Sequence, residues 1–317
     1  ALYLDNNNLI HLPTTIGNLS NLGALGLSNN DLRSLPNTIG NLTNLTWLPL
    51  YENQLHSLPP EIGNLVNLDA LYVNDNELSS LPSEIGNLVN LDYLSASYNE
   101  LSNLPSEIGD LINLEELSLK YNELSSLPSE IGNLASLTYL DLNNNELNSL
   151  PSEIDRLSNL RSLDLSDNEF GDLPSEIINL INLTRLSLAN NELSSLSSEI
   201  GNILSLRYLR LSHNELSSLP LEIGNLSNLE TLYLDQNEFS VIPSEINNLT
   251  NLCYLSIGGN LFQHLPTSLA KLSNLEAEGC GLNLSDNILI SPPQEIIDQG
   301  TPAIFDDIFK GPPGNKV

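Results

Sequence analysis

The chain has 317 residues, with 40 acidic side chains against 10 basic ones and a formal net charge of −30. A field of that sign repels nucleic acid and anionic membrane surfaces, and no apolar run is long enough to cross a bilayer, so neither is an expected partner. The length alone would suggest two domains, but an unbroken register from Asn7 to Asn260 argues for one elongated body.

In chain order the same element recurs. Asn7, Asn30, Asn53, Asn76, Asn99, Asn122, Asn145, Asn168, Asn191, Asn214, Asn237 and Asn260 each stand 23 residues after the last. Numbered so that this asparagine is position 9, the unit carries leucine at positions 1, 4, 6 and 11. A return segment follows, written "LPSEIGNL" at residues 81–88 and again at 127–134. The alternation at positions 4 and 6 predicts a short strand with one buried face, and Pro-Ser-Glu-Ile-Gly predicts a short helical turn. A unit this small cannot bury its own leucines, so it stacks on its neighbours as a solenoid, with a parallel sheet on the inner face and turns on the outer one.

The recurring asparagine, from Asn30 to Asn260, is expected to bond backbone groups of its own turn and the next. The serine of Pro-Ser-Glu is placed to cap the helical turn, and the isoleucine and leucine after it should point inward. The proline recurs in twelve of thirteen turns and gives way at Ser197, where a looser turn is expected.

This pattern resembles the leucine-rich repeat family, and the resemblance covers nearly the whole chain. It implies a curved α/β horseshoe with the parallel sheet on the concave face and short helical turns on the convex one. The solenoid is expected over residues 1–290 with a truncated first turn, a capping segment over 291–310 and a disordered tail over 311–317. Ala1 falls inside a strand, there is no methionine and nothing amphipathic covers the first turn, so the chain reads as an excised or processed fragment. Its compartment stays open, with the cytoplasm as the working expectation.

Near the C-terminus the register returns only if Asn287 takes the place of residue 283, which adds four residues to the last turn. Cys253 and Cys280 then share position 2 of adjacent turns, at a strand spacing compatible with a disulfide. Two cysteines do not make a disulfide framework, and stacked free thiols are the expectation. Thr301 and Pro302 are read as cap and first residue of a short helix, with Ile304, Phe305, Ile308 and Phe309 on the face that seals the core. The Pro-Pro-x-Glu-Ile text resembles the last repeats of Roco proteins, and the 23-residue consensus resembles Ras-group-related and bacterial leucine-rich proteins. No nucleotide-binding G-x-x-x-x-G-K-[ST] loop occurs in the chain.

Positions 3 and 5 project from the open side of such a sheet, flanked by positions 2, 7 and 8. All ten tyrosines occupy positions 3, 5, 7 or 8: Tyr3, Tyr51, Tyr72, Tyr93, Tyr98, Tyr121, Tyr139, Tyr208, Tyr233 and Tyr254. Trp47 takes position 3. Strand propensity accounts for positions 3 and 5 but not for Tyr51, Tyr98 and Tyr121, and large rigid rings are typical of binding hot spots. Lys120, Arg161, Arg185, Arg207 and Arg210 add a basic island. It is either an acidic-ligand patch or an internal network with Asp141, Asp164 and Asp167.

Catalysis and metal binding find little footing. His213 alone among the histidines faces the concave side, and Asp164 with Asp167 would lie on a shallow sheet that excludes no water. Two cysteines and scattered histidines give no tetrahedral metal spacing, and no cofactor is implied. Seven Asn-x-Ser/Thr triplets, among them Asn18, Asn41 and Asn182, are mostly by-products of the repeat. The expected function is non-catalytic recognition of a protein on the concave face. The alternatives are the scaffolding arm of a Roco-like GTPase and the ectodomain of a secreted receptor or adhesin.

Overall fold

The computed structural model describes residues 1–265 and 267–310, the side chains of Thr267, Ala270 and residues 307–310 excepted. The chain divides into two compact units, residues 1–164 and the part from Leu165 onward. The first unit holds β1 (Leu2–Tyr3), β2 (Leu25–Gly26), β3 (Trp47–Pro49), β4 (Ala70–Tyr72), β5 (Tyr93–Ser95), β6 (Glu116–Ser118), β7 (Tyr139–Asp141) and β8 (Ser162–Asp164). The second holds β9 (Arg185–Ser187), β10 (Tyr208–Arg210), β11 (Thr231–Tyr233), β12 (Tyr254–Ser256) and β13 (Gly281–Asn283).

Within each unit successive strands pair in parallel with like register positions opposed, as in Tyr93↔Glu116↔Tyr139 and Tyr208↔Thr231↔Tyr254, except that β1 and β2 form a sheet of their own joined to β3 by the isolated bridge Ala24↔Trp47. The strands are short because the chain bends at position 8, where Asn6, Asn29, Glu52, Asp75, Tyr98 and Tyr121 all have φ between 52° and 58°. Between strands, Ser-Glu-Ile-Gly-Asn after the proline forms a five-residue 3-10 helix such as Ser83–Asn87. A left-handed bend and a tight helical turn together fit one circuit into 23 residues.

The leucines lie between the two layers. In the second circuit Leu25, Leu27, Leu32, Ile39 and Leu42 are fully buried, and Phe170, Phe239 and Phe262 replace leucine at position 11 in three turns of the second unit without leaving the core. Each such side chain contributes about 1.5–3 kcal/mol of transfer free energy, opposed by the entropy of ordering the chain. The glycine of the return segment has a packing role. A Cβ on Gly40 would lie 2.5 Å from the carbonyl oxygen of Glu61 in the next turn, so any side chain there would force the turns apart.

The asparagine ladder forms, but its direction differs from expectation. Asn122 donates through Nδ2 to Leu119 O at 2.9 Å in its own turn and to Ala96 O at 3.0 Å in the preceding one. Its Oδ1 accepts from Leu101 N, also in the preceding turn, at 3.0 Å. The inter-turn bonds of the ladder therefore reach backward along the chain, because the left-handed residue before the asparagine turns its amide toward the earlier bend. Asn237 repeats the pattern with Leu234 O, Leu211 O and Leu216 N.

The serine expectation is corrected too. Proline occupies the cap position of these turns, and the serine after it donates to the neighbouring glutamate, as Ser83 does to Glu84 at 3.2 Å and Ser129 to Glu130 at 3.0 Å. At Ser197, where proline is missing, the serine takes the cap position itself and accepts from Glu199 N at 3.3 Å. That turn is capped by its own serine.

The four-residue insertion lies between Leu275 and Cys280, just before β13, and a second 3-10 turn, Ser273–Glu276, leads into it. Asn287 then resumes the ladder with Leu284 O, Ile257 O and Phe262 N. The chain closes with α1 (Gln294–Ile297) and α2 (Thr301–Lys310). Ile304 and Phe305 are buried as expected, and Thr301 Oγ1 accepts from Leu282 N of β13 at 3.1 Å. The side chains of Ile308 and Phe309 and the tail at 311–317 lie outside the described residues.

Candidate functional site: the open face of the sheet

Positions 4 and 6 are buried, so positions 3 and 5 project from the opposite face of each strand, where position 3 is exposed or half-buried and several position-5 residues, among them Ser95, Asp141, Ser187 and Ser256, are buried. The structure brings the sequence-predicted aromatics together in pairs. In the first unit Trp47 meets Tyr3 edge to face at 6.1 Å, and Tyr72 meets Tyr93 at 4.9 Å. Tyr98 and Tyr121 stack at 4.5 Å with 9° between their planes. Tyr51 is exposed, and Tyr139 donates its hydroxyl to Asp141 Oδ2 at 3.2 Å.

Tyr98 and Tyr121 answer the question that strand propensity left open. They occupy the left-handed position 8, with φ of 53° and 54°. Asparagine, aspartate and glycine adopt that conformation at least cost, and most turns place one of them there. Two tyrosines held in it, stacked and each 42% exposed, answer to no need of the frame.

A depression of about 400 Å³ opens beside this stack, with Tyr93, Tyr98, Glu116, Lys120, Tyr139 and Asp141 among its lining residues. Burial, and then the charges of Asp141, Asp164 and Glu116, hold the Tyr139 phenol well above its usual range. Burial also raises Tyr93, with Tyr72 and Glu116 adding to it. Asp141 is itself raised, first by burial and further by neighbouring Asp164, against the opposing effects of the Asn143 N–H, the Tyr139 hydroxyl and Lys120. The wall is thus partly desolvated and negative. Sequence reasoning did not place Glu116 and Asp75 in the site. The available signal was the glutamate at position 3 between two tyrosines one period to either side.

The second unit uses the same positions with the opposite charge. The Arg185 guanidinium lies over the Tyr208 ring at 4.3 Å, and Tyr233 contacts Tyr208 at 5.6 Å and Tyr254 at 5.3 Å. Arg210 joins Tyr208, Tyr233 and Tyr254 around a depression of about 430 Å³ that also includes His213 and Asp235. Arg207 pairs at 3.4 Å with exposed Glu230, a partner outside the expected aspartate network. Of the basic residues singled out in the sequence, Lys120 and Arg161 belong to the first unit, and Arg185, Arg207 and Arg210 to the second.

Cys253 and Cys280 form a disulfide with a Cα–Cα distance of 4.7 Å, which corrects the expectation of free thiols. The four inserted residues keep both cysteines at position 2, so parallel pairing of β12 and β13 carries them to bonding distance. Among the described residues no group of three or more histidine, cysteine or carboxylate side chains is arranged to hold a metal, and no helix is long and apolar enough to cross a membrane.

The chain belongs to the leucine-rich repeat family. A family model described as a leucine-rich repeat region matches residues 38–128, 122–198 and 188–281. A leucine-rich repeat protein of Leptospira interrogans is similar over 95% of this chain and 82% of its own, at 38% identity and a TM-score of 0.81. An internalin of Listeria monocytogenes is similar over 92% of this chain and 86% of its own, at 25% identity and a TM-score of 0.67. Drosophila Toll, solved in complex with Spätzle, matches 89% of this chain with 40% of its own, at 27% identity and a TM-score of 0.76. No curated protein matches the chain. The fold is that of a protein-protein interaction module.

Proposed function

We propose that this protein is a non-catalytic recognition module that holds a partner protein against the open face of its sheet, the face expected to be concave. The observation that carries the reading is the alignment of aromatic pairs from successive strands on a solvent-facing wall, with Tyr72 against Tyr93 and Tyr98 against Tyr121. Large rings with few rotors bind at low entropic cost, and stacking has already fixed these. Toll, a structural neighbour solved with its protein ligand, supports the reading by analogy.

The test is capture of a partner from the source cell by the wild-type chain and by the double variant Tyr72→Ala/Tyr93→Ala. The variant should bind the captured partner at least about tenfold more weakly while its thermal unfolding stays nearly unchanged. Equal capture would remove the aromatic wall from the interface.

The Cys253–Cys280 bond favours a narrower reading, a secreted receptor or adhesin segment, because such bonds persist in oxidising compartments. Alkylation of the natural protein before reduction, followed by mass spectrometry, should find both cysteines protected. Two alkylated thiols would retire the extracellular reading and leave the recognition reading standing.

A further inference from the structure

We infer that the depression in the first unit receives a basic side chain, arginine in particular, from an extended segment of the partner protein. The inference rests on the reading of the open face as a recognition surface and names the chemistry of what that surface takes.

The register supplies the first reason. Glu116 stands at position 3 of β6 with Tyr93 opposite it on one neighbouring strand and Tyr139 on the other. Adjacent strands lie about 4.8 Å apart, so a planar cation paired with the Glu116 carboxylate has an aromatic ring within reach on each side. A guanidinium suits such a slot better than an ammonium, because its flat fork bonds a carboxylate with two donors and stacks on rings as it does so.

The second reason is the pair of carboxylates beneath. Asp141 is buried and pairs in register with Asp164 on β8. A cation entering above them meets the partly desolvated Asp141 carboxylate and offsets the repulsion that Asp164 exerts on it. The net charge of −30 also attracts a basic segment from a distance.

The third reason is that the chain supplies its own stand-in. Lys120 Nζ lies 5.5 Å from the centroid of the Tyr98 ring and lowers the proton affinity of Asp141. A cation over a tyrosine face beside that carboxylate is therefore an arrangement the site already accepts. The second unit gives the contrast, since the Tyr208 face is covered by Arg185 and its depression is lined by Arg210.

The test uses fluorescence polarisation with a labelled peptide of alternating glycine and arginine, and with the same peptide carrying citrulline, the neutral isostere, at about 0.15 M salt. The arginine peptide should bind at least about tenfold more tightly than the citrulline peptide. Glu116→Gln, at an exposed position, should weaken it by about five- to tenfold, and Lys120→Ala should tighten it by about two- to fivefold. The double variant Glu123→Gln/Glu146→Gln, which removes two charges from the exposed rim, should change affinity less than about twofold.

Equal binding of the two peptides overturns the inference. So does an equal loss in the rim variant, which would mean a diffuse field only, or weaker binding in Lys120→Ala. In any of these cases loss of partner capture by Tyr72→Ala/Tyr93→Ala would still uphold the recognition surface. An unaltered capture there would sink that surface independently.

Discussion

The two units carry one frame and opposite chemistry. In each, leucines and a few other apolar residues fill positions 4 and 6, a recurring asparagine closes the bend and tyrosines line the open face. In the first unit the tyrosines stand among Glu116, Asp141 and Asp164, and in the second among Arg185, Arg207 and Arg210. The difference teaches that strand pairing and the asparagine bonds use only backbone and inward side chains. The outward ones are free to take either sign without changing the register.

If the frames are equivalent, the same lesion should cost the same in both. Asn122→Leu and Asn237→Leu each leave three carbonyls and one amide of a buried bend without their side-chain partner. Each is expected to lower unfolding free energy by about 3–5 kcal/mol, measured by chemical denaturation. A difference of more than about 2 kcal/mol between them, beyond ordinary context dependence, would show that the units do not share one stability design.

A smaller effect separates the two faces. The Asp141 carboxyl is raised above the ordinary aspartate range, chiefly by burial, so the native chain holds this proton more tightly than the unfolded chain. At neutral pH its ionised form is destabilising, and that penalty fades as pH falls through the interval between the raised and the ordinary value. Asp141→Asn, which keeps an oxygen for the Asn143 amide, should therefore be more stable than wild type at neutral pH. The gap should close once pH drops below the ordinary carboxylate range. A gap that grows on acidification would reverse the assignment.

The smallest expected effect concerns the helical turns. Ser197→Ala removes a capping bond to Glu199 N and should cost about 0.5–1 kcal/mol. Ser83→Ala, at the neighbouring position of a proline-capped turn in the first unit, removes an exposed bond to Glu84 and should cost nearly nothing. Equal losses in thermal melts would mean that proline and serine caps are not alternatives.

Much of the frame was legible because it repeats. Period, strand positions, buried leucines and the shifted Asn287 are all consequences of a unit that must stack on copies of itself. What stayed hidden depends on contacts between turns, where sequence spacing is silent about direction. The backward reach of the asparagines, the cap at Ser197 and the closeness that excludes a side chain from Gly40 belong to that group. The choice between thiols and a bond at Cys253 and Cys280 turned on an oxidation state that spacing permits but does not dictate. In the candidate site the tyrosines could be read from their register, whereas Glu116 escaped notice because an acid in an acidic chain carries no signal until its neighbours are known.

The left-handed backbone at position 8 bears on how this surface changes over generations. Tyr98 and Tyr121 occupy a site where random substitution runs downhill toward asparagine, aspartate or glycine. Aromatic residues would erode from that corner unless something kept choosing them. Descendants that have given up the ligand should therefore be recognisable by a relaxed Asn or Gly at both places, while the leucine spine beneath remains unaltered.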